Sequence, residues 1–189
     1  MIFFRYGLLP ILLCLHMSAA SAGADQNTLL EVVKEFYTWT LTNGKSVASL
    51  QPTIKNLPGG RFVLDTTNLN NFSGRLIGSG YFAPEFKQTV AHYYDRYRQQ
   101  FAKLTDKEFE DMPRDGRGPL MEVEDMDIFF CAQEYEYKQS FIDGVKIKQF
   151  KTGDTTASLL VVSPYGWETP FKFIFSQGRW LISGYCVFQ

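Results

Sequence analysis

The alternation of apolar and polar positions divides this chain into a helical first half and a strand-rich second half. Residues 27–44, NTLLEVVKEFYTWTLTNG, place Leu29, Leu30, Val33, Phe36, Tyr37 and Leu41 on one face at steps of three and four, the period of an amphipathic helix. Asn27 or Thr28 supplies a cap, Thr28-x-x-Glu31 has the form of a capping box, and Asn43-Gly44 is a stop signal. A short second helix is expected around Ser46–Asn56, ended by the turn-forming Pro58-Gly59-Gly60. Residues 61–83, rich in Asn and Gly, read as a polar loop. The strongest helix follows in APEFKQTVAHYYDRYRQQFAKL. Pro84 suits its first position, and Phe86, Val90, Tyr93, Tyr94, Tyr97, Phe101 and Leu104 form its apolar stripe. Thr105-x-x-Glu108 marks a further short helix, and Asp111–Gly118 reads as a charged linker.

Beyond Val145 the period changes to two. VKIKQF alternates, TTASLLVVS is a continuous apolar run, and FKFIF and RWLISGYCVF alternate again, with turns at Asp143-Gly144, Gly153-Asp154, Tyr165-Gly166 and Gln177-Gly178. Phe171, Phe173 and Phe175 share one face, as do Trp180, Ile182, Gly184, Cys186 and Phe188. Short connections favour an antiparallel meander. Helices followed by such a sheet define an α+β architecture, here N-terminal helices packed on a strongly curved antiparallel sheet.

The first residues bear on the compartment. Arg5, the apolar YGLLPILLCLHM and the small-residue SAASAGA, with a cleavage site at Ala20-Ser21-Ala22, have the layout of a secretory signal peptide. The expected organisation is a signal peptide over 1–22 and a single α+β domain over 23–189, released to the periplasm or beyond. An uncleaved membrane anchor is the competing reading, disfavoured because the apolar stretch is shorter than the ~20 residues of a spanning helix. Leu13 before Cys14 disfavours lipid attachment there, which calls for a small residue. Removal of Arg5 from the 19 basic residues leaves 18 against 20 acidic ones, a formal charge of about −2. That balance argues against broad binding to nucleic acid or anionic membrane.

Two cysteines then remain, Cys131 in DIFFCAQE and Cys186 in the last strand. In an oxidising compartment the pair reads as a disulfide. Closing its loop of about 54 residues stabilises by roughly 4 kcal/mol on the chain-entropy argument. The alternative, a catalytic thiol at Cys131 with Cys186 free, finds no basic neighbour to lower the thiol pKa.

Phe36-Tyr37-x-Trp39, FAPEF, Asp127 with its aromatic pair, AQE and the closing GRWLISGY together resemble the nuclear-transport-factor-2-like superfamily, in particular small exported bacterial proteins, from about residue 28 to the end. The resemblance implies a cone of bent sheet closed by helices. The superfamily includes enzymes, transport factors, binding modules and immunity proteins that neutralise secreted toxins, so fold alone does not decide function. Its members often pair through the open sheet face, and the aromatic content permits a homodimer without requiring one.

An isomerase or dehydratase would need an Asp or His base inside the cone. Outside the leader the only histidine is His92, with Asp95 three residues on. The aromatic stripe turns both toward the edge or solvent. One histidine and no HExxH or CxxC spacing give no metal site, and nothing implies a cofactor. EVEDMD gathers Glu122, Glu124, Asp125 and Asp127 without the spacing or glycine of a calcium loop; a solvated acidic segment that meets a basic partner fits better. Ser79 in GSGY lacks the strand of a nucleophile elbow, and Asn71-Phe72-Ser73 is a glycosylation sequon only in a eukaryotic secretory pathway. Tyr165 and Trp167 sit at a turn, where they either anchor a protein contact or fold back on the sheet. No catalytic residue is assigned. The expectation is a non-enzymatic periplasmic binding protein, an immunity or inhibitor protein against a toxin or envelope hydrolase, contacting its partner through Tyr165, Trp167, Glu124, Asp125, Asp127 and His92. The alternative is a small-molecule-binding or isomerase-like protein that uses the cone.

Overall fold

The computed structural model describes residues 23–59, 61–111, 121, 126–133 and 136–189. Glu122, Glu124 and Asp125, the segment assigned as leader and most of the charged linker lie outside the described residues. The element order is α1 (Gln26–Ala48), β1 (Thr53–Leu57), β2 (Arg61–Asp65), α2 (Leu69–Gly78), α3 (Phe86–Lys103), α4 (Asp106–Glu110), α5 (Gln139–Asp143), β3 (Lys146–Thr152), β4 (Thr156–Val162), β5 (Glu168–Ser176) and β6 (Arg179–Tyr185). The protein is α+β: helices first, then a four-stranded antiparallel meander in the order β3-β4-β5-β6.

Helix α1 begins one residue after Asp25, whose carboxylate accepts the Thr28 N–H at 3.2 Å. It runs through the expected stop at Gly44 to Ala48. The glycine serves a different end. A Cβ there would lie 2.9 Å from Thr40 Cγ2 and 3.5 Å from the Phe129 ring, so its absence lets that ring rest on the helix backbone. The expected second helix is therefore partly the last turn of α1 and partly β1.

The stretch expected as a loop forms β2 and α2. β1 and β2 pair as a hairpin from Thr53↔Asp65 to Leu57↔Arg61, with Gly59 at φ 90° in the turn. Phe62 and Leu64 alternate inward, and Phe62 stacks on Phe109 of α4 at 6.2 Å. Helix α2 holds Asn, Ser and Gly, weak helix formers, but buries Phe72, Ser73 and Leu76. Its packing against α3 overrides propensity. α3 buries Phe86, Val90, Tyr93, Tyr94, Tyr97 and Phe101, the stripe its period predicts, and α4 opens on the reciprocal Thr105–Glu108 capping box.

In the meander, β5 and β6 are joined by Gln177 and Gly178 at φ 53° and 78°, the paired positive angles of a type I′ turn. The pairing then slips: Phe173 faces Ile182, but Lys172 faces Gly184, leaving Ser183 as a bulge. The alternation expected over Trp180–Phe188 breaks there. Ile182 and Tyr185 share the inner face with Phe173 and Phe171, and the chain reverses after Tyr185 so that Phe188 pairs back onto it. The free side of β6 is covered by residues 81–83, where Ile182 donates to the Tyr81 carbonyl and Ala83 donates to that of Ile182. β3, the opposite edge, carries Lys146, Lys148 and Lys151, charges that discourage further strand pairing.

One hydrophobic cluster draws on α1, α2, α3, α5 and β4–β6. Cys131 and Cys186 are joined by a disulfide, Cα atoms 5.7 Å apart, tying the 127–132 turn to the end of the sheet. Among the described residues no helix is long and apolar enough to cross a membrane.

Candidate functional site

The space between helices and sheet is occupied by rings. Phe36 and Tyr37 descend from α1, Phe171 and Phe173 rise from β5, and Phe82, Phe86, Tyr185 and Phe188 close the gap; all are at most 2 % exposed. Their centroids lie at contact spacings, 4.5 Å for Phe82–Phe86, 5.0 Å for Phe36–Phe82 and 5.6 Å for Phe171–Tyr185. The polar atoms here are mostly phenols. Tyr185 Oη donates to the Ile128 carbonyl at 2.8 Å, and Tyr37 is hydrogen-bonded to Thr169. The Tyr94 hydroxyl is buried without a hydrogen-bond partner among the described residues. Burial pushes the phenols of Tyr37, Tyr94 and Tyr185 well above the ordinary tyrosine range. At neutral pH they stay protonated and do not act as bases.

His92 is exposed on the outer side of α3. It lines a shallow hollow of about 410 Å³ with Thr66, Leu69, Ala91, Asp95 and Arg98. Asp95 is engaged by Arg98 Nε at 2.9 Å and Gln99 Nε2 at 2.6 Å, which with the Arg98 charge hold its carboxyl below the usual range. The pair does not enter the interior.

Asp127, the acidic residue of that segment among the described residues, is half-buried. Its Oδ1 accepts the N–H groups of Phe129 at 2.8 Å and Phe130 at 3.0 Å, and its own N–H and carbonyl bond Ala132 and Cys131. Desolvation raises its pKa despite those two donors. It borders a hollow of about 290 Å³ against Thr40, Gly44 and Lys45 of α1. Its chief task is to cap the turn that presents Cys131.

At the β4–β5 loop, Tyr165 is 55 % exposed and stands 6.0 Å from the Phe141 ring. Trp167 is half-buried, with its backbone N–H donated to Ser163 Oγ at 3.1 Å. Of the two, Tyr165 protrudes and Trp167 turns partly back.

A surface concavity that the sequence reading did not single out is a cleft of about 570 Å³ along α1. Glu31, Lys34, Glu35, Thr38, Trp39 and Thr42 form one wall, at steps of three and four beside the buried stripe. Tyr81 closes one side; Gln139, Ile142 and Asp143 of α5 close another. Lys34 Nζ reaches the Asp143 carbonyl at 3.5 Å. Phe36 backs the aromatic part, 6.3 Å from both Trp39 and Tyr81. Burial, then the Glu35 charge, raises the Tyr81 pKa. The sequence signal was Trp39, an indole on an otherwise polar helical stripe. Among the described residues no group of three or more His, Cys, Asp or Glu is placed to hold a metal ion.

No protein-family model, curated protein or solved structure matches the chain.

Proposed function

We propose that this is an exported, non-enzymatic binding protein of the periplasm, an immunity or inhibitor protein whose target is a secreted toxin or an envelope hydrolase. In this reading the sheet bends into the cone of the nuclear-transport-factor-2-like superfamily and the helices close it. The observation that carries the reading is the ring-filled interior: the place where a superfamily enzyme would hold substrate is packed with Phe36, Phe82, Phe86, Phe171 and Tyr185. The disulfide supports an oxidising compartment. The isomerase-like alternative draws no support from His92, which lies outside on α3.

Binding then belongs to the surface, with Tyr165 the exposed aromatic anchor. Affinity capture from an envelope extract tests this. A partner retained by the unaltered chain and lost from Tyr165→Ala, with Trp167→Ala weaker in effect, is the expected result. Absence of any partner above a denatured-bait control would count against it. Sedimentation of the purified chain checks the homodimer that the superfamily resemblance permits.

A further inference from the structure

We infer that the α1–α5 cleft receives a lysine or arginine side chain of the protein partner, which makes it the charge-reading part of the interface. The inference rests on the binding reading above and names the chemistry of its partner.

Three observations lead to it. First, Glu31 and Glu35 lie at i and i+4, a like-charge spacing that costs an isolated helix a few tenths of a kcal/mol. Neither has an ion-pair partner among the described residues, and the nearby Lys34 turns its ammonium to the Asp143 carbonyl. A third carboxylate, Asp143, stands across the cleft. The cleft thus holds three carboxylates against the one ammonium of Lys34, a net negative lining. Second, the cleft lining holds two aromatic rings, the half-buried Trp39 and Tyr81, propped from behind by Phe36. A cation seated against indole or phenol within about 6 Å of the ring gains roughly 0.5–2 kcal/mol, and an adjacent carboxylate adds to the same preference. Glu35 lies close enough to Tyr81 for its charge to bear on the phenol, so carboxylate and ring address one volume. An apolar ligand would use the rings and waste the carboxylates, and an anion would be repelled.

Third, the cleft is open. Glu31, Glu35, Thr38, Thr42, Gln139 and Asp143 are all exposed. A free small molecule needs most of its surface enclosed to bind well, whereas a side chain borne on a partner brings the covering surface with it. The cleft also lies beside the aromatic anchor: α5 forms its far wall, and Phe141 of α5 contacts Tyr165. A partner seated on Tyr165 therefore reaches the cleft across one helix turn.

The test uses the purified full chain and two capped peptides, Gly-Gly-Arg-Gly-Gly and its citrulline analogue, which keeps the shape and removes the charge. The expected result is a saturable shift of the Trp39 indole N–H resonance, assigned with Trp39→Phe, at millimolar arginine peptide. The citrulline peptide and the Glu35→Gln variant should each weaken it at least about tenfold, equivalent to ~1.4 kcal/mol. Equal binding of the two peptides, indifference to Glu35→Gln, or no saturable shift overturns the inference. Affinity capture with Glu35→Gln separates the two proposals. A partner held equally by variant and unaltered chain sinks the cleft while protein binding stands. Peptide binding at the cleft without any captured partner leaves the cleft chemistry and removes the protein-binding reading.

Discussion

Asp127 shows how one residue can be both necessary and costly. Two backbone donors depend on its Oδ1, yet its surroundings disfavour the charge, and the net effect is a raised pKa. A raised pKa means that the folded state favours the protonated form. The favourable share is complete below the ordinary carboxylate value and is lost as pH rises through the folded value. Asp127→Asn keeps a carbonyl acceptor for both N–H groups and removes the charge, so at pH 7 its unfolding midpoint should equal or exceed that of the unaltered chain, with the gap closing in acid. Asp127→Ala leaves the Phe129 and Phe130 donors unpaired and should cost about 1–3 kcal/mol. Urea unfolding of the three proteins at pH 4 and pH 7 checks both signs. Gly44 poses the opposite problem. Alanine would gain up to about 1 kcal/mol of helix propensity. Its methyl would have to displace Thr40, whose hydroxyl is bonded to the Phe36 carbonyl at 3.0 Å. Overpacking of about 1–3 kcal/mol outweighs the gain, so Gly44→Ala should lower the midpoint.

Legibility in the sequence follows how locally each element is stabilised. α3 was readable because its ring stripe repeats over five turns, and the meander because positive-φ turn chemistry at Gln177-Gly178 announces it. α2, the β1–β2 hairpin and α5 were not, since each is short and held by what it packs against: α2 on α3, Phe62 on Phe109, Phe141 beside Tyr37. Gly44 defeated the reading of α1 because a glycine used for close approach and a glycine used to stop a helix look alike in sequence. Among the site residues, the cysteine pair was legible from arithmetic. The α1–α5 cleft was not, because its second wall comes from α5, more than ninety residues away (Glu35 to Gln139). The β5–β6 turn itself gives a prediction at this scale. Gln177 holds φ 53° beside Gly178, where asparagine is the favoured partner. Gln177→Asn, exposed and away from every hollow described, should raise stability by about 0.5–1 kcal/mol in thermal or urea unfolding.

For the molecule as a whole, the disulfide and the ring-filled core hold the same junction, helices to sheet end. Removing the bond in the Cys131→Ala/Cys186→Ala double variant should cost about 4 kcal/mol, chiefly by freeing the unfolded chain. The core supplies the complementary vulnerability, and it is alkaline. Tyr37, Tyr94 and Tyr185 are held protonated by burial, while the unfolded chain releases those protons near pH 10. Their stabilising share is therefore complete below about pH 10 and falls as pH rises toward their folded values, because only the unfolded state ionises there. Of the ten tyrosines in the full sequence, Tyr6 leaves with the leader, and of the others these three should form phenolate only as the fold is lost. Phenolate absorbance near 295 nm should accordingly rise in two phases, the second coincident with loss of near-ultraviolet circular dichroism. Two variants separate ionisation from hydrogen bonding. Tyr94→Phe removes a buried hydroxyl that has no partner among the described residues, so it should match or exceed the unaltered chain at pH 7 and soften the alkaline decline. Tyr185→Phe gives up the bond to the Ile128 carbonyl and should cost about 1 kcal/mol at pH 7 while softening the same decline. A single-phase titration of all the tyrosines in the folded chain would mean that the core admits water, and with it the argument that binding belongs to the surface would lose its footing.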